Sequence, residues 1–402
     1  MSLSRWVFSL KGVVQNYSWG GQDFLPSLLG SENREHIPSA EYWMGAHPNH
    51  SSIVIESGKP LIEEINLNRE AWLGKNVMNE FGSLPFLLKV LDVDQMLSIQ
   101  VHPDISSAKK GYDDETSKGI PVNAQHRNYK DRNHKPELMA ALGDFWLLHG
   151  FKKEDQLQSI LEQTPELLFL RSAFGKGNYK RLYEEVMQMD QDKVNIILQP
   201  LTDRILPLYK NGELQKDRED FWAARAALNF CSGGQLDRGI FSIYLFNLLH
   251  LKKGEGIYQQ AGLPHAYLEG QNVEIMANSD NVLRAGLTSK HIDVPELMKH
   301  VIFEPTIPHI IRASGTDHTI YPSPAREFEL HRYDLEAGKE QSINALSPEI
   351  ILVLEGNMEI RGNEILNAKR GDAFFILPGG TVKIRTGSSS ILFRALVPMV
   401  EN

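Results

Sequence analysis

The chain changes texture twice, and that change limits its possible folds more than any single motif does. Residues 7–151 hold short apolar runs, among them 84–91, 96–102 and 138–142, broken by Gly, Pro, Asn and Asp. Runs of this length with turn punctuation read as strands, with a helical interruption over residues 60–73. From about Lys153 to Leu228 the period lengthens: Leu157, Ile160 and Leu161 recur at helical spacing, as do Tyr183, Val186 and Met187. This stretch reads as a helical insertion, because strand texture resumes over residues 240–251. The alternative is a separate domain with a partner surface of its own. From Phe328 onward short runs return at 350–354, 358–360, 373–377, 382–386 and 391–396, a spacing that suits a jelly roll or sandwich. The expected partition is 1–152 and 229–320 as two parts of one catalytic domain, 153–228 as the helical insertion, and 321–402 as a C-terminal jelly roll.

Composition removes several classes of function. A chain of 402 residues exceeds one ordinary core, as the partition requires. A net charge of −9 argues against a nucleic-acid partner, which needs a basic field, but leaves room for an anionic metabolite held by a few local cations. The single cysteine, Cys231, can form neither an intrachain disulfide nor a cysteine-type zinc site, and it suits a reducing compartment. Arg5 and Lys11 flank a short apolar stretch with no small-residue cleavage pattern, which does not read as a signal peptide. No run approaches the ~18 apolar residues of a membrane helix. The expectation is a soluble, cytoplasmic protein, with a monomer as the working oligomeric state.

The chemistry gathers at three places. Residues 96–102 (Met-Leu-Ser-Ile-Gln-Val-His) alternate, so that on a strand Leu97, Ile99 and Val101 face one side while Ser98, Gln100 and His102 face the other. Such a polar face either meets solvent or lines a cavity that presents Gln and His to one ion. Lys135 and Glu137 share a face of a second strand candidate, with His134 pointing away. In isolation that pair reads as surface charge. Gly262 and Pro264 frame a turn into a third strand, on which His265 and Tyr267 share a face and Asn272 and Glu274 alternate likewise. A polar loop, 278–281, and the cation Arg284 follow. Gln100, His102, Glu137 and His265 together offer two imidazoles, one carboxylate and one amide oxygen. That set suits zinc, with manganese, iron or cobalt as alternatives. No phosphate loop, dinucleotide fingerprint or Ser-His-Asp signature competes with it.

At these residues the chain resembles the type I phosphomannose isomerases. Residues 15–20 (Gln-Asn-Tyr-Ser-Trp-Gly) and 40–51 (Ala-Glu-Tyr-Trp-Met-Gly-Ala-His-Pro-Asn-His-Ser) are similar to two signatures of that family. Residues 97–104, 129–142 and 262–288 resemble its metal and substrate motifs, in the family's order. The resemblance implies a mainly β protein, with a cupin-type β-sandwich catalytic domain, an inserted α-helical domain and a C-terminal jelly roll. It implies one zinc per chain at Gln100, His102, Glu137 and His265, and isomerisation of mannose 6-phosphate to fructose 6-phosphate through an enediolate. Lys135, Tyr267, Glu274, Asp280 and Arg284 match the family's pocket residues, with Lys135, Glu274 and Asp280 all open as the base. Trp19, Ser98 and Lys290 join Tyr267 as candidate substrate contacts, and Arg284 and Lys290 are the candidate phosphate cations.

Two other readings compete. A metal-dependent cupin dioxygenase would lean on more histidine ligands than this set offers, and a non-catalytic sugar-phosphate sensor would not need Lys135 and Arg284 intact. In the C-terminal part Gly371, Asp372 and Pro378 resemble a cupin turn, but no histidine accompanies them and His331 stands alone on its strand candidate. A degenerate cupin kept for structure, with no second metal, is the expectation there.

Overall fold

The computed structural model describes residues 5–313 and 315–399. It is mainly β, with three sheets and a helical block. The ten-stranded sheet is organised around one long strand, His265–Ala277, which pairs with Phe86–Val93, Gln100–Val101, Glu137–Ala141 and Phe145–Phe151. One strand can serve four partners because its register shifts between Tyr267 and Glu269. Gly270, just past that shift, has φ 124°, and a Cβ there would lie 2.5 Å from the Asp144 carbonyl oxygen. A side chain at this position is therefore excluded by both backbone conformation and space.

Period-two alternation sorts the side chains into separate cores. Val273 and Ile275 join Leu88, Val90, Leu138 and Ala140 in a core shared with Ile350, Leu352, Phe375 and Phe393 of the C-terminal sheet. Ala266 and Leu268 join Ile99, Val101 and Leu148 in a core shared with the helical block. His265, Tyr267, Asn272 and Glu274 are left to face the interior of the first barrel. The C-terminal jelly roll closes its own core between the eight-stranded sheet and the four-stranded sheet, through residues such as Ile351, Val353, Ile360, Ile384 and Leu392.

Four expectations change. Residues 240–245 form a helix, Gly239–Leu245, rather than the start of a strand, and the strand is Phe246–Leu251. All seven residues of that helix are buried against the helices Glu154–Gln163 and Glu219–Phe230, so the apolar run carries no period by which to tell the two states apart. Only Gln100–Val101 of the 96–102 run forms a strand, and Leu97 packs beside Trp19 and Tyr267 rather than with Ile99 and Val101. The run bends because the Leu97 amide donates to the Tyr267 carbonyl, whereas Ile99 donates to Gly286. The strand Val7–Lys11, assigned by sequence to the first catalytic part, pairs with Ala373–Ile376 in the C-terminal sheet. Finally, His331 is not alone: its Nδ1 lies 3.0 Å from His318 Nε2, and its Nε2 lies 2.5 Å from Glu329.

Trp72, on the helix Arg69–Phe81, ties the N-terminal strand to this sheet. Its ring lies 4.8 Å from Phe8 and 5.4 Å from Phe375, and it is almost fully buried. Trp72→Ala is expected to destabilise the protein by about 3–5 kcal/mol, through lost transfer energy and an unfilled cavity. Urea unfolding followed by tryptophan-independent circular dichroism checks this; a loss under about 1 kcal/mol would show that the tie carries little.

Candidate metal centre and substrate cleft

His102, Glu137 and His265 come from three different chain segments, yet their ligand atoms lie within 4.8 Å of one another, and all three side chains are buried. The His102 Nε2 is 3.5 Å from one Glu137 oxygen, and the His265 Nε2 is 3.2 Å from the other. Each imidazole is oriented by its far nitrogen. His102 Nδ1 meets the Asn281 carbonyl at 2.7 Å, and His265 Nδ1 meets the Leu263 carbonyl at 2.9 Å. A carbonyl only accepts, so both Nδ1 atoms carry the proton and both Nε2 atoms present a lone pair to the centre. This is the tautomer a metal ligand requires. The His102 Nε2 is buried and has no hydrogen-bond partner, a condition that is costly unless a cation completes it.

The electrostatics agree with that reading. Burial pulls the His102 imidazole down to a pKa of about 4, so the ring is neutral near pH 7. Burial would raise the Glu137 carboxyl, but Lys135 and His102 outweigh it and hold the group well below the usual carboxylate range. Lys135 Nζ sits 3.0 Å from Glu137 Oε1. Gln100 lies directly opposite His265 in the strand register, and opposite Arg284 on its other side.

The segments that carry these three residues are held by a turn and a loop. Gly262, at φ 79°, donates its amide to the His102 carbonyl, and a Cβ there would lie 2.7 Å from the His300 carbonyl. Asn281 is fully buried. Its side chain accepts from the Lys130 amide at 2.7 Å and donates to the carbonyls of Asp131 and Asn133 at 2.9 and 2.8 Å. The loop 278–281 is thereby locked to the segment before Glu137.

Beside the metal candidates lies a second charged group that sequence reasoning missed. Lys89 is buried between Glu41 and Glu274, 3.4 Å from each, with its Nζ 4.9 Å from the centre of the Trp43 ring. Burial opposes its charge, but Glu41, Glu274 and Glu137 outweigh that and raise its pKa above the usual value. Trp43 donates its indole N–H to Glu41. Glu274 accepts from the Tyr267 hydroxyl at 2.8 Å, and its carboxyl is raised by burial first and by Glu137 next. One signal could have found Lys89. It is a lysine in the middle of Phe86–Val93, a strand otherwise apolar up to Asp92 and buried at every position.

The remaining candidates differ in exposure and in partners. Arg284 is half-buried and, among the described residues, forms no ion pair; burial lowers its pKa from the ordinary value. Lys130 and Lys290 both feel its positive field, which lowers each further after burial. Lys290 is exposed, and Ser98 and Trp19 are half-buried. The Trp19 ring stacks on Tyr17 at 5.9 Å. Asp280 lies 3.4 Å from His47 Nε2, and both line an open cleft of about 920 Å³ together with Lys130, Asp131 and Ser279.

Comparison with known proteins places this arrangement among relatives. Residues 7–154 match the family model of the phosphomannose isomerase type I catalytic domain. The chain is 36% identical over 377 residues to the mannose-6-phosphate isomerase of Escherichia coli strain K12, covering 90% of this chain and 93% of that one. It is 32% identical to the mannose-6-phosphate isomerase of Bos taurus, covering 97% and 98%. A crystal structure of a mannose 6-phosphate isomerase bound with zinc and yttrium superposes with a TM-score of 0.86 at 34% identity, covering 98% of this chain and 100% of the other.

Two outcomes follow from the geometry. Glu137→Ala and His265→Ala are each expected to lose most bound metal while the sheet stays folded, and elemental analysis of the purified variants checks this; full metal in both would remove the assignment. Lys89→Met leaves Glu41 and Glu274 buried without their cation, and is expected to destabilise the protein by about 3–5 kcal/mol at neutral pH. Urea titration measures it, and a variant as stable as wild type would show that the two carboxylates are compensated elsewhere.

Proposed function

The chain belongs to the type I mannose-6-phosphate isomerases, and on that premise we propose how its own residues interconvert mannose 6-phosphate and fructose 6-phosphate. The observation that carries the reading is the buried His102–Glu137–His265 cluster, with both imidazoles fixed as Nε2 lone-pair donors. One zinc would be held there by these three residues, with the Gln100 amide as the fourth candidate ligand. Zinc bound in this way supplies Lewis acidity toward the sugar oxygens.

The protein's own residues supply the rest. Isomerisation moves a proton between C2 and C1 of the open-chain sugar, and negative charge develops on the two oxygens. Lys135, beside Glu137, offers a cation next to that charge. Glu274 is a second proton-handling group, a buried carboxyl beside the cluster that burial, and then Glu137, raise above the ordinary carboxylate value. Tyr267 orients that carboxyl through its hydroxyl. Lys89 keeps the region neutral enough for carboxylates to share it. Arg284, free of carboxylate partners among the described residues, takes the phosphate, with Lys290 and Lys130 adding positive field. Trp19 and Ser98 flank the sugar.

The same reading carries the coarser proposals. All four zinc ligands come from one chain, which supports a monomer. No helix among the described residues is long and apolar enough to cross a membrane. A cytoplasmic location is supported by the single cysteine and by the anionic metabolite as substrate. The partition into 1–152 with 229–320, 153–228 and 321–402 stands as the proposed domain arrangement, with Val7–Lys11 lent to the C-terminal sheet.

The deciding experiment incubates purified protein with mannose 6-phosphate and measures fructose 6-phosphate before chelation, after chelation and after zinc is restored. Loss and recovery of turnover are expected; turnover indifferent to chelation would remove the zinc. Arg284→Ala is expected to lower kcat/KM for mannose 6-phosphate roughly 100-fold with bound zinc unchanged. Wild-type kinetics in that variant would take Arg284 out of the site.

A further inference from the structure

His47 is absent from every role assigned so far, yet it is held as tightly as a metal ligand. Its side chain is only 5% exposed, and the Trp43 ring packs edge-on against it at 5.0 Å. The Asn49 amide donates to its Nδ1 at 3.3 Å, so Nδ1 is the acceptor and the ring proton sits on Nε2. That nitrogen points to the Asp280 carboxylate at 3.4 Å.

Asp280 does not depend on this partner alone for solvation, because its side chain is 42% exposed and water could serve it as well. Its backbone is fixed independently, by its amide donating to Asp131 Oδ2 at 2.7 Å. What the histidine adds is direction. Without it, an exposed aspartate on a loop would sample several rotamers; with it, the carboxylate is turned into the cleft that both residues line.

We propose that His47 is a positioning residue, whose Nε2–H holds the Asp280 carboxylate toward a hydroxyl of the sugar in the cleft. The proposal rests on the isomerase reading. The other charged groups around Asp280 are Lys135, Lys89 and Lys130, Asp131 across the loop, and the Tyr17 hydroxyl. The His47 imidazole, 3.4 Å away, is the largest of the influences that keep Asp280 below the usual carboxylate range. A 3.4 Å contact in the free protein is of the kind that tightens when substrate arrives.

The test is a double-mutant cycle on zinc-loaded protein, with kcat/KM for mannose 6-phosphate and zinc content measured for each variant. His47→Ala is expected to lose roughly tenfold to 100-fold in kcat/KM at full zinc, and Asp280→Asn to lose at least as much. The double variant should be no worse than Asp280→Asn alone, because His47 acts only through Asp280. His47→Gln, whose amide N–H reaches close to the position of Nε2, should recover most of the loss. Additive losses, an Asp280→Asn variant with wild-type turnover, or a glutamine that restores nothing would each overturn the proposal, since a merely structural His47 gives those results. Wild-type protein without mannose 6-phosphate turnover would sink the isomerase reading first and His47 with it, whereas an active wild type with an additive cycle would sink His47 alone.

Discussion

Everything in this protein hangs on the strand His265–Ala277 and on the rule that its neighbouring side chains point to opposite faces. One face must be apolar, because two separate layers press against it from outside: helices over Ala266 and Leu268, and the C-terminal sheet over Val273 and Ile275. The other face is thereby committed to the barrel interior along its whole length. His265, Tyr267, Asn272 and Glu274 are there because no other place remains for them. The register shift between Tyr267 and Glu269 changes the strand's neighbours without breaking the division. A residue inserted elsewhere in the strand would send the imidazole and the carboxylate into apolar cores.

Filling a barrel with charges requires that they nearly cancel. Glu41, Glu137 and Glu274 are balanced in the structure by Lys89 and Lys135, and the contacts alternate in sign: Glu41 to Lys89, Lys89 to Glu274, Lys135 to Glu137. Isolated charges at such burial would neutralise instead. His102 is kept neutral by burial, and the cluster is short of positive charge where its Nε2 lacks a partner. A divalent cation supplies what is missing. The same low-dielectric setting that makes these groups costly to bury strengthens their action on charge that develops in a bound sugar.

The mouth of the barrel is built differently. Its groups sit on loops, and loops must be tied down to act with a strand's accuracy. Asn281 does this for the loop that carries Asp280, by bonding to the segment just before Lys135 and Glu137 and by offering its carbonyl to His102. His102, the loop and the cleft wall thus share one hydrogen-bond network. Distant parts of the chain contribute as well: Val7–Lys11 and Trp72 brace the C-terminal sheet that covers the back of the catalytic strands.

How much of this could be read from the residues alone follows the range of the forces involved. Local period was enough for the strands of the C-terminal part, for the helical block and for the alternation that sets Gln100 and His102 apart from Ile99 and Val101. Long motifs were enough to gather Gln100, His102, Glu137 and His265 into one proposed centre and to indicate the family. Local period failed where burial is complete on every side, as in Gly239–Leu245, and where a backbone bond to a distant strand bends the chain, as at Leu97. It also gave no hint that Val7–Lys11 leaves its sequence neighbours for Ala373–Ile376, because strand pairing is a contact between remote segments and carries no local mark. Lys89, His47 and Asn281 were missed for one reason. Each is defined by what it touches (two carboxylates, an aspartate, an imidazole), and a sequence records residue types without recording which of them meet. The residue types and their alternation were therefore settled by the sequence; the tautomers, the charge balance and the aim of each polar group were decided only when folding brought the partners together.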